Sequence, residues 1–248
     1  MNQAFYIGAV GAQEQQKKLN IQGNNIANVN TYGFKAEKGR FTALMYENIK
    51  GIDDEQLPAG VGACLWTSDT DFATGAGANT GRAQDYMIEG KGFFALVDLN
   101  TNEISLTRNG AFFVSELIRP TGEVDEYGQA ITKRVLYLSD GDGRFVLSRT
   151  GGMIEVTDRS AMQPVGIFDY DNYNGIEHLD GTRFLPVEKN GDLRVGSGKL
   201  VQGMLEMSNV DLAEEMSKVI EAQRAYSMAL KMVQTSDEIE TTINNLRS

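Results

Sequence analysis

The sequence predicts an α+β protein: N- and C-terminal helices pairing as a coiled coil, with a central, mainly antiparallel β domain. Three observations carry that reading. Of 27 glycines, 21 lie between residues 51 and 199, and all four prolines lie there too. The last 49 residues hold one glycine, Gly203, and no proline. Charge is segregated as well: residues 1–50 carry six basic and three acidic groups, residues 200–248 four and eight, in a 248-residue chain of net charge −11. The expected division is residues 1–32 with 205–248 as a terminal helical assembly domain, 33–78 as a connecting segment and 79–204 as the β-rich centre.

The N-terminal helix rests on Phe5, Ala12, Leu19 and Ile26, spaced by seven, with Ala9 and Val29 between them. Gly8, Gly11 and Gly23 each cost a helix about 1 kcal/mol relative to alanine, so alone this helix is marginal in water. It needs a partner, and the acidic C-terminal segment is the nearest by charge and by pattern. Such ends are expected to order on assembly.

In the centre, short apolar runs recur: residues 92–97, 105–108, 111–114, 135–138, 144–147 and 153–156. Asn109-Gly110, Thr121-Gly122, Asp140-Gly141 and Gly151-Gly152 bound them as turn signals, the mark of antiparallel hairpins. Residues 164–169 read as a further extended piece.

The C-terminal helix is capped by Asn209 or Asp211, with Glu214 and Glu215 suiting the dipole of its first turn. Leu212, Met216, Val219, Tyr226, Leu230 and Val233 follow steps of four and three, and Met232, Ile239, Ile243 and Leu246 continue the line. That spacing, sustained over about five heptads without glycine or proline, predicts a coiled-coil seam.

Several chemistries are excluded. One cysteine, Cys64, rules out an internal disulfide, and one histidine, His178, leaves no histidine-based metal site. No apolar run reaches the ~20 residues of a membrane span, and an acidic pI argues against nucleic acid as partner. The first residues lack a basic stretch before their apolar run, so no cleavable signal peptide is expected. His178 has no nucleophile elbow beside it. Gly75-Ala-Gly-Ala-Asn-Thr-Gly81 has the wrong spacing for a dinucleotide loop and reads as a flexible loop. Asp140-Gly-Asp-Gly143 begins like a calcium loop but puts Arg144 where an oxygen ligand belongs, so it reads as a hairpin turn. Neither an enzyme nor a cofactor is expected.

The most specific segment is Asn24-Asn-Ile-Ala-Asn-Val-Asn-Thr-Tyr-Gly-Phe-Lys35. Asn24 and Asn28 share a helix face, and with Asn25 and Asn30 their amides suit bridging loose backbone ends. Gly33 suits a positive φ in the exit turn, Phe34 anchors, and Lys35 is expected near the helix's carbonyl end.

Residues 19–35 resemble the N-terminal signature of the bacterial flagellar rod and hook family. Ser208-Asn-Val-Asp211, Glu215-Met216 and Gln223-Arg-Ala-Tyr226 resemble its C-terminal signature. In the centre, Asn79-Thr-Gly81, Glu89-Gly-Lys-Gly-Phe-Phe94 and Thr107-Arg-Asn-Gly-Ala-Phe112 are similar to its core, whereas residues 116–133 and Ala83-Gln-Asp85 depart from it. The resemblance implies a structural subunit exported by the flagellar type III apparatus without a cleaved signal and polymerising helically into the axial rod. Implied partners are further copies of itself, neighbouring rod and hook subunits, and ring proteins around the rod. The resemblance favours the distal rod over the proximal–distal junction. A secreted carbohydrate-binding or peptidoglycan-acting β domain is the rival from another class. The expected assembly residues are Asn24, Asn25, Asn28, Asn30, Gly33, Phe34, Leu212, Met216, Val219, Tyr226, Leu230, Val233, Ile239 and Ile243.

Overall fold

A computed structural model describes residues 3–43, 46–50, 56–60, 62–124, 130–179 and 181–247. The chain forms two compact units: residues 1–29, 36–71 and 210–248 make a helical unit, residues 30–35 and 72–209 a β unit.

In the helical unit, α1 (Gln3–Ala27) and α2 (Leu212–Arg247) run antiparallel. Asp211 caps α2, its Oδ1 accepting from the Ala213 and Glu214 amides at 2.9 and 3.2 Å. Residues 36–71, expected as part of a connecting segment, carry two antiparallel pairs. These are β1 (Glu37–Ala43) with β4 (Ala63–Thr70), and β2 (Tyr46–Lys50) with β3 (Gln56–Gly60). The segment therefore builds structure on the helices rather than merely joining two regions. Glu14 ties α1 to β4: its buried carboxylate accepts from the Leu65 amide at 2.6 Å and from Lys17 Nζ at 2.7 Å.

The β unit contains thirteen short strands among its described residues. They are β5 (Gly77–Asn79), β6 (Tyr86–Glu89), β7 (Phe94–Val97), β8 (Ile104–Thr107), β9 (Phe113–Val124) and β10 (Ala130–Ser139). Then come β11 (Phe145–Val146), β12 (Phe168–Asp169), β13 (Glu177–His178), β14 (Arg183–Leu185), β15 (Arg194–Val195), β16 (Lys199–Gln202) and β17 (Met204–Glu206). Seven of them form one antiparallel sheet in the order β13-β14-β8-β7-β11-β10-β9. β7 shows why its run is unbroken in apolar residues. Phe94 and Leu96 enter one core with Tyr86, Phe112 and Leu138, while Ala95 points with Phe93 into a second core with Leu106, Phe168 and Phe184.

Four expectations need correction. Thr121-Gly122 does not turn the chain: β9 runs through it to Val124, and residues 116–133 are mostly a long hairpin whose connection, 125–129, lies outside the described residues. Residues 153–156 make isolated bridges to Leu147 and Tyr137 rather than a strand. The glycine-rich stretch 75–81 is not a free loop, because β5 within it pairs with β17, and Ala76 O accepts from the Met207 amide. Lys35 is not at a helix end; it is buried, as described below. The Asp140 turn is as expected, with Asp140 Oδ1 accepting from the Asp142 and Arg144 amides and Arg144 supplying the cation to both aspartates.

The Lys17 ammonium and the Leu65 amide hold the Glu14 carboxyl below the usual carboxylate range, against the opposing effect of burial. A carboxyl whose folded pKa is depressed adds stability above its unfolded pKa and loses it as pH falls through the folded value. Thermal melts of the wild type and Glu14→Gln should therefore differ by their full amount at about pH 6 and draw together as pH falls below the ordinary glutamate pKa of about 4.3. A difference that stays constant across that range would remove Glu14 as an ionised tie.

Candidate assembly site

The asparagine-rich exit of α1 divides into distinct tasks. Asn25 is buried, and its amide completes β1 as another strand would: Nδ2 donates to Glu37 O and Oδ1 accepts from the Glu37 amide, both at 2.9 Å. The same Nδ2 reaches Glu215 Oε2 of α2 at 3.3 Å. Asn28 donates to Asn24 O and Oδ1 at 2.9 and 3.0 Å, closing the last turn of the helix. Asn24 and Asn30 are exposed. Within the chain the Asn25 amide bridges a strand edge and a carboxylate rather than a neighbouring helix end.

The helix contact runs in a different phase from the expected seam. Its buried line along α2 is Glu215, Ala222 and Ser236, with Val219, Tyr226, Ala229 and Val233 half-buried beside it. Leu212, Met216, Leu230, Ile239 and Ile243, expected inside, are exposed. The reason is size. α1 presents Gly8, Gly11 and Ala12, and a Cβ on Gly8 would stand 3.0 Å from Val233 Cγ2 and 3.2 Å from Ala229 O. Backbones this close exclude leucine and methionine from the line between them. Gln15 Oε1, Gln22 Oε1 and Ser236 Oγ are buried without a hydrogen-bond partner among the described residues.

Within the β unit, Gly33, Phe34 and Lys35 meet a clasp that sequence reasoning missed. Lys35 Nζ lies 2.6 Å from Glu206 Oε1, and Arg108 Nη1 lies 3.0 Å from Glu206 Oε2; all three side chains are buried. Lys35 also donates to Ala73 O at 2.6 Å, and Arg108 donates to Ile88 O and Gly90 O while its guanidinium sits over the Phe93 ring. The Gly75 amide donates to Glu206 Oε1 and the Gly33 amide to Glu206 O. Gly33 has φ +71°, and a Cβ there would meet Asn109 N at 2.3 Å. Phe34 is buried, as expected of an anchor. The available signal was a charged residue in two of the segments that resemble the family, Lys35 after Gly-Phe and Arg108 after Thr107; Glu206 lies in none of them.

His178 lies on a short strand with its ring edge against Phe184, and Cys64 is a half-buried free thiol. Among the described residues no group of three histidine, cysteine or acidic side chains is placed to hold a metal. No described helix is long and apolar enough to cross a membrane. A cleft of about 230 Å³ in the helical unit is lined by three lysines, including Lys18 and Lys218, and three glutamates, including Glu215, so it selects neither sign of charge.

Two family models match the chain: "Flagella basal body rod protein" over residues 5–35 and "Flagellar basal body rod FlgEFG protein C-terminal" over residues 201–246. Over full lengths, the chain is 30% identical to the flagellar basal-body rod protein FlgG of Bacillus subtilis, covering 100% of both chains. It is 28% identical to the protein of that name from Buchnera aphidicola subsp. Schizaphis graminum, covering 98% of this chain and 99% of the relative. The flagellar hook-basal body complex protein FlhP of Bacillus subtilis is 26% identical over 94% of each chain.

Gly33→Ala tests the close approach at the clasp. A left-handed conformation costs a non-glycine residue about 1–2 kcal/mol, and the backbone of Asn109 would have to move as well. Amide protection of Ile104–Thr107 should fall by at least ~30-fold in hydrogen exchange. Unchanged protection would mean that the clasp tolerates a side chain here.

Proposed function

The chain belongs to the flagellar basal-body rod protein family, and on that premise we propose that it is a distal-rod subunit polymerising helically through the apolar surface of its helical unit. It is a structural component of the basal body, and its family is not a class of enzymes. The observation that carries the assembly reading is the composition of the helical unit's interior. Among its described residues the buried apolar side chains are three alanines: Ala12, Ala36 and Ala222. Many of its large apolar groups face outward. Ile239 is 48% exposed, Ile243 52% and Leu246 83%, and Leu212, Met216, Ile220, Met228, Leu230 and Met232 are exposed as well.

Exposed apolar side chains in this number along one helix are the mark of interfaces. Burying a Leu, Ile or Met side chain is worth about 1.5–3 kcal/mol, so four or five such residues at one contact can offset the entropy of association. A heterologous contact that does not close on itself yields a filament rather than a ring. The terminal helices then form a coiled-coil layer in which α1 and α2 of neighbouring copies supply the partners that Leu212, Met216, Leu230, Ile239 and Ile243 lack. Export without a cleaved signal through the flagellar type III apparatus fits a chain with one cysteine and therefore no internal disulfide to undo. Further partners are the neighbouring rod and hook subunits and the rings around the rod.

Replacing both Ile239 and Ile243 with aspartate should leave monomer helicity and the β unit intact and abolish polymerisation, because two charges would enter a buried seam. Circular dichroism and negative-stain microscopy read the two properties separately, and normal filaments from this variant would overturn the surface assigned. Basal bodies from a strain lacking the gene should show a missing or shortened rod and no hook, with the stopping point separating distal rod from junction. A complete rod and hook would overturn the rod assignment itself.

A further inference from the structure

On the reading that the exposed apolar side chains of α2 meet another copy, we infer that Met228 and Met232 are an oxidation site that controls assembly. Conversion of their thioethers to sulfoxides blocks the contact, and reduction restores it. Position is the first ground. Met228, Met232, Ile239, Ile243 and Leu246 recur at steps of four, seven, four and three, which keeps them on one face of an unbroken helix. All five are exposed, Met228 at 68% and Met232 at 52%. α1 covers a different face, the one that carries Ala222, Ala229 and Val233. Heptad spacing is the pattern against which another helix packs. Arg224, four residues before Met228, and Lys231, beside Met232, border the stripe, exposed and in no ion pair among the described residues. A second copy of a chain with net charge −11 offers carboxylates to both, so the occupant of this face is that second copy.

Chemistry is the second ground. Leucine and isoleucine are inert to peroxides, whereas a thioether is not. The sulfur lone pair attacks one oxygen of hydrogen peroxide, the O–O bond breaks and an S–O bond forms. The departing hydroxide takes the proton from the transferred oxygen and leaves as water; sulfur loses two electrons and the peroxide gains them. The product is a polar acceptor in a stripe whose other members, Ile239, Ile243 and Leu246, have no side-chain donor to offer it. Burying such a group without a hydrogen bond weakens a contact by about tenfold or more, so two in each subunit raise the concentration needed for polymerisation by about 100-fold. Access separates these sulfurs from others in the chain. Met87 is 8% exposed, and a Cβ on Gly77 would stand 2.9 Å from its sulfur. Met162 and Met207 are exposed too, but they belong to the β unit and are internal controls for oxidation away from the stripe.

The test treats the full chain with hydrogen peroxide, removes the excess, assigns sulfoxides by peptide mass spectrometry and follows polymerisation by sedimentation and negative-stain microscopy. Met228 and Met232 should oxidise at least ~10-fold faster than Met87, and the treated chain should need about 100-fold more protein to polymerise. Methionine sulfoxide reductases A and B with a thiol reductant should restore wild-type polymerisation. The variant M228L/M232L should polymerise like the wild type before and after peroxide, although Met162, Met207 and Met216 are oxidised in it. Normal filaments from a chain that carries both sulfoxides would overturn the inference and leave the assembly reading standing, as would a peroxide-sensitive M228L/M232L. Failure of the untreated chain to polymerise would remove the assembly reading, and this inference with it.

Discussion

A carboxylate shared by two cations in a dry interior is the constraint on which the β unit turns. Burying each of the three ions costs several kcal/mol, and the arrangement is tolerable only because nearly every donor and acceptor is occupied. Glu206 accepts from Lys35, Arg108 and the Gly75 amide through its side chain and from the Gly33 amide through its main chain. Arg108 Nε alone finds no acceptor among the described residues. Such a group contributes less to net stability than to uniqueness. If β17 slipped by one residue against β5, Glu206 would turn to the opposite face and lose its contacts with Lys35, Arg108 and the Gly75 amide. The register seen, Met204↔Asn79 to Glu206↔Gly77, is thereby fixed by electrostatics as well as by packing.

The helical unit follows the opposite logic. Its fully buried side chains are alanines and polar groups, with Val219, Tyr226 and Val233 half-buried beside them and three buried polar oxygens unpaired among the described residues. An unsatisfied buried polar atom costs about 1–3 kcal/mol, so the pairing of α1 with α2 is held by close backbone approach and by Asn25, Glu14 and their partners rather than by hydrophobic burial. A subunit built in this way keeps its large apolar side chains for other molecules. The same small residues that weaken α1 as an isolated helix allow the close approach that leaves leucine and isoleucine outside.

These two logics explain what could be read from the sequence. Strands such as β7 and β8 were legible because both local pattern and turn residues pointed the same way, and the positive φ of Gly33 followed from its place after a helix. The phase of the α2 seam was not, since heptad reading assigns the inside to the largest apolar residues, whereas here Ala222 and Ser236 occupy it. Lys35 is expected near a helix end because a lysine just beyond a helix's exit turn ordinarily belongs there. Nothing local reveals a partner 171 residues away. The long β9–β10 hairpin was missed because Thr121-Gly122 carries a turn signal that the strand pairing overrides.

Why should one chain combine a self-sufficient unit with one that needs company? A filament subunit must be soluble as a single molecule and sticky only in the correct register. The largest fully buried side chains, among them Phe34, Tyr86, Tyr137 and Phe184, all belong to the β unit, which has a core of its own. The helical unit's exposed residues are separated along α2 by charges such as Glu221, Arg224, Lys231 and Glu238, so a neighbour docked out of phase would bury one of these without a partner. Burying an unpaired charge costs more than one apolar contact returns. In the assembly proposed, specificity would rest on the charges between the apolar side chains, while the apolar side chains supply the driving force.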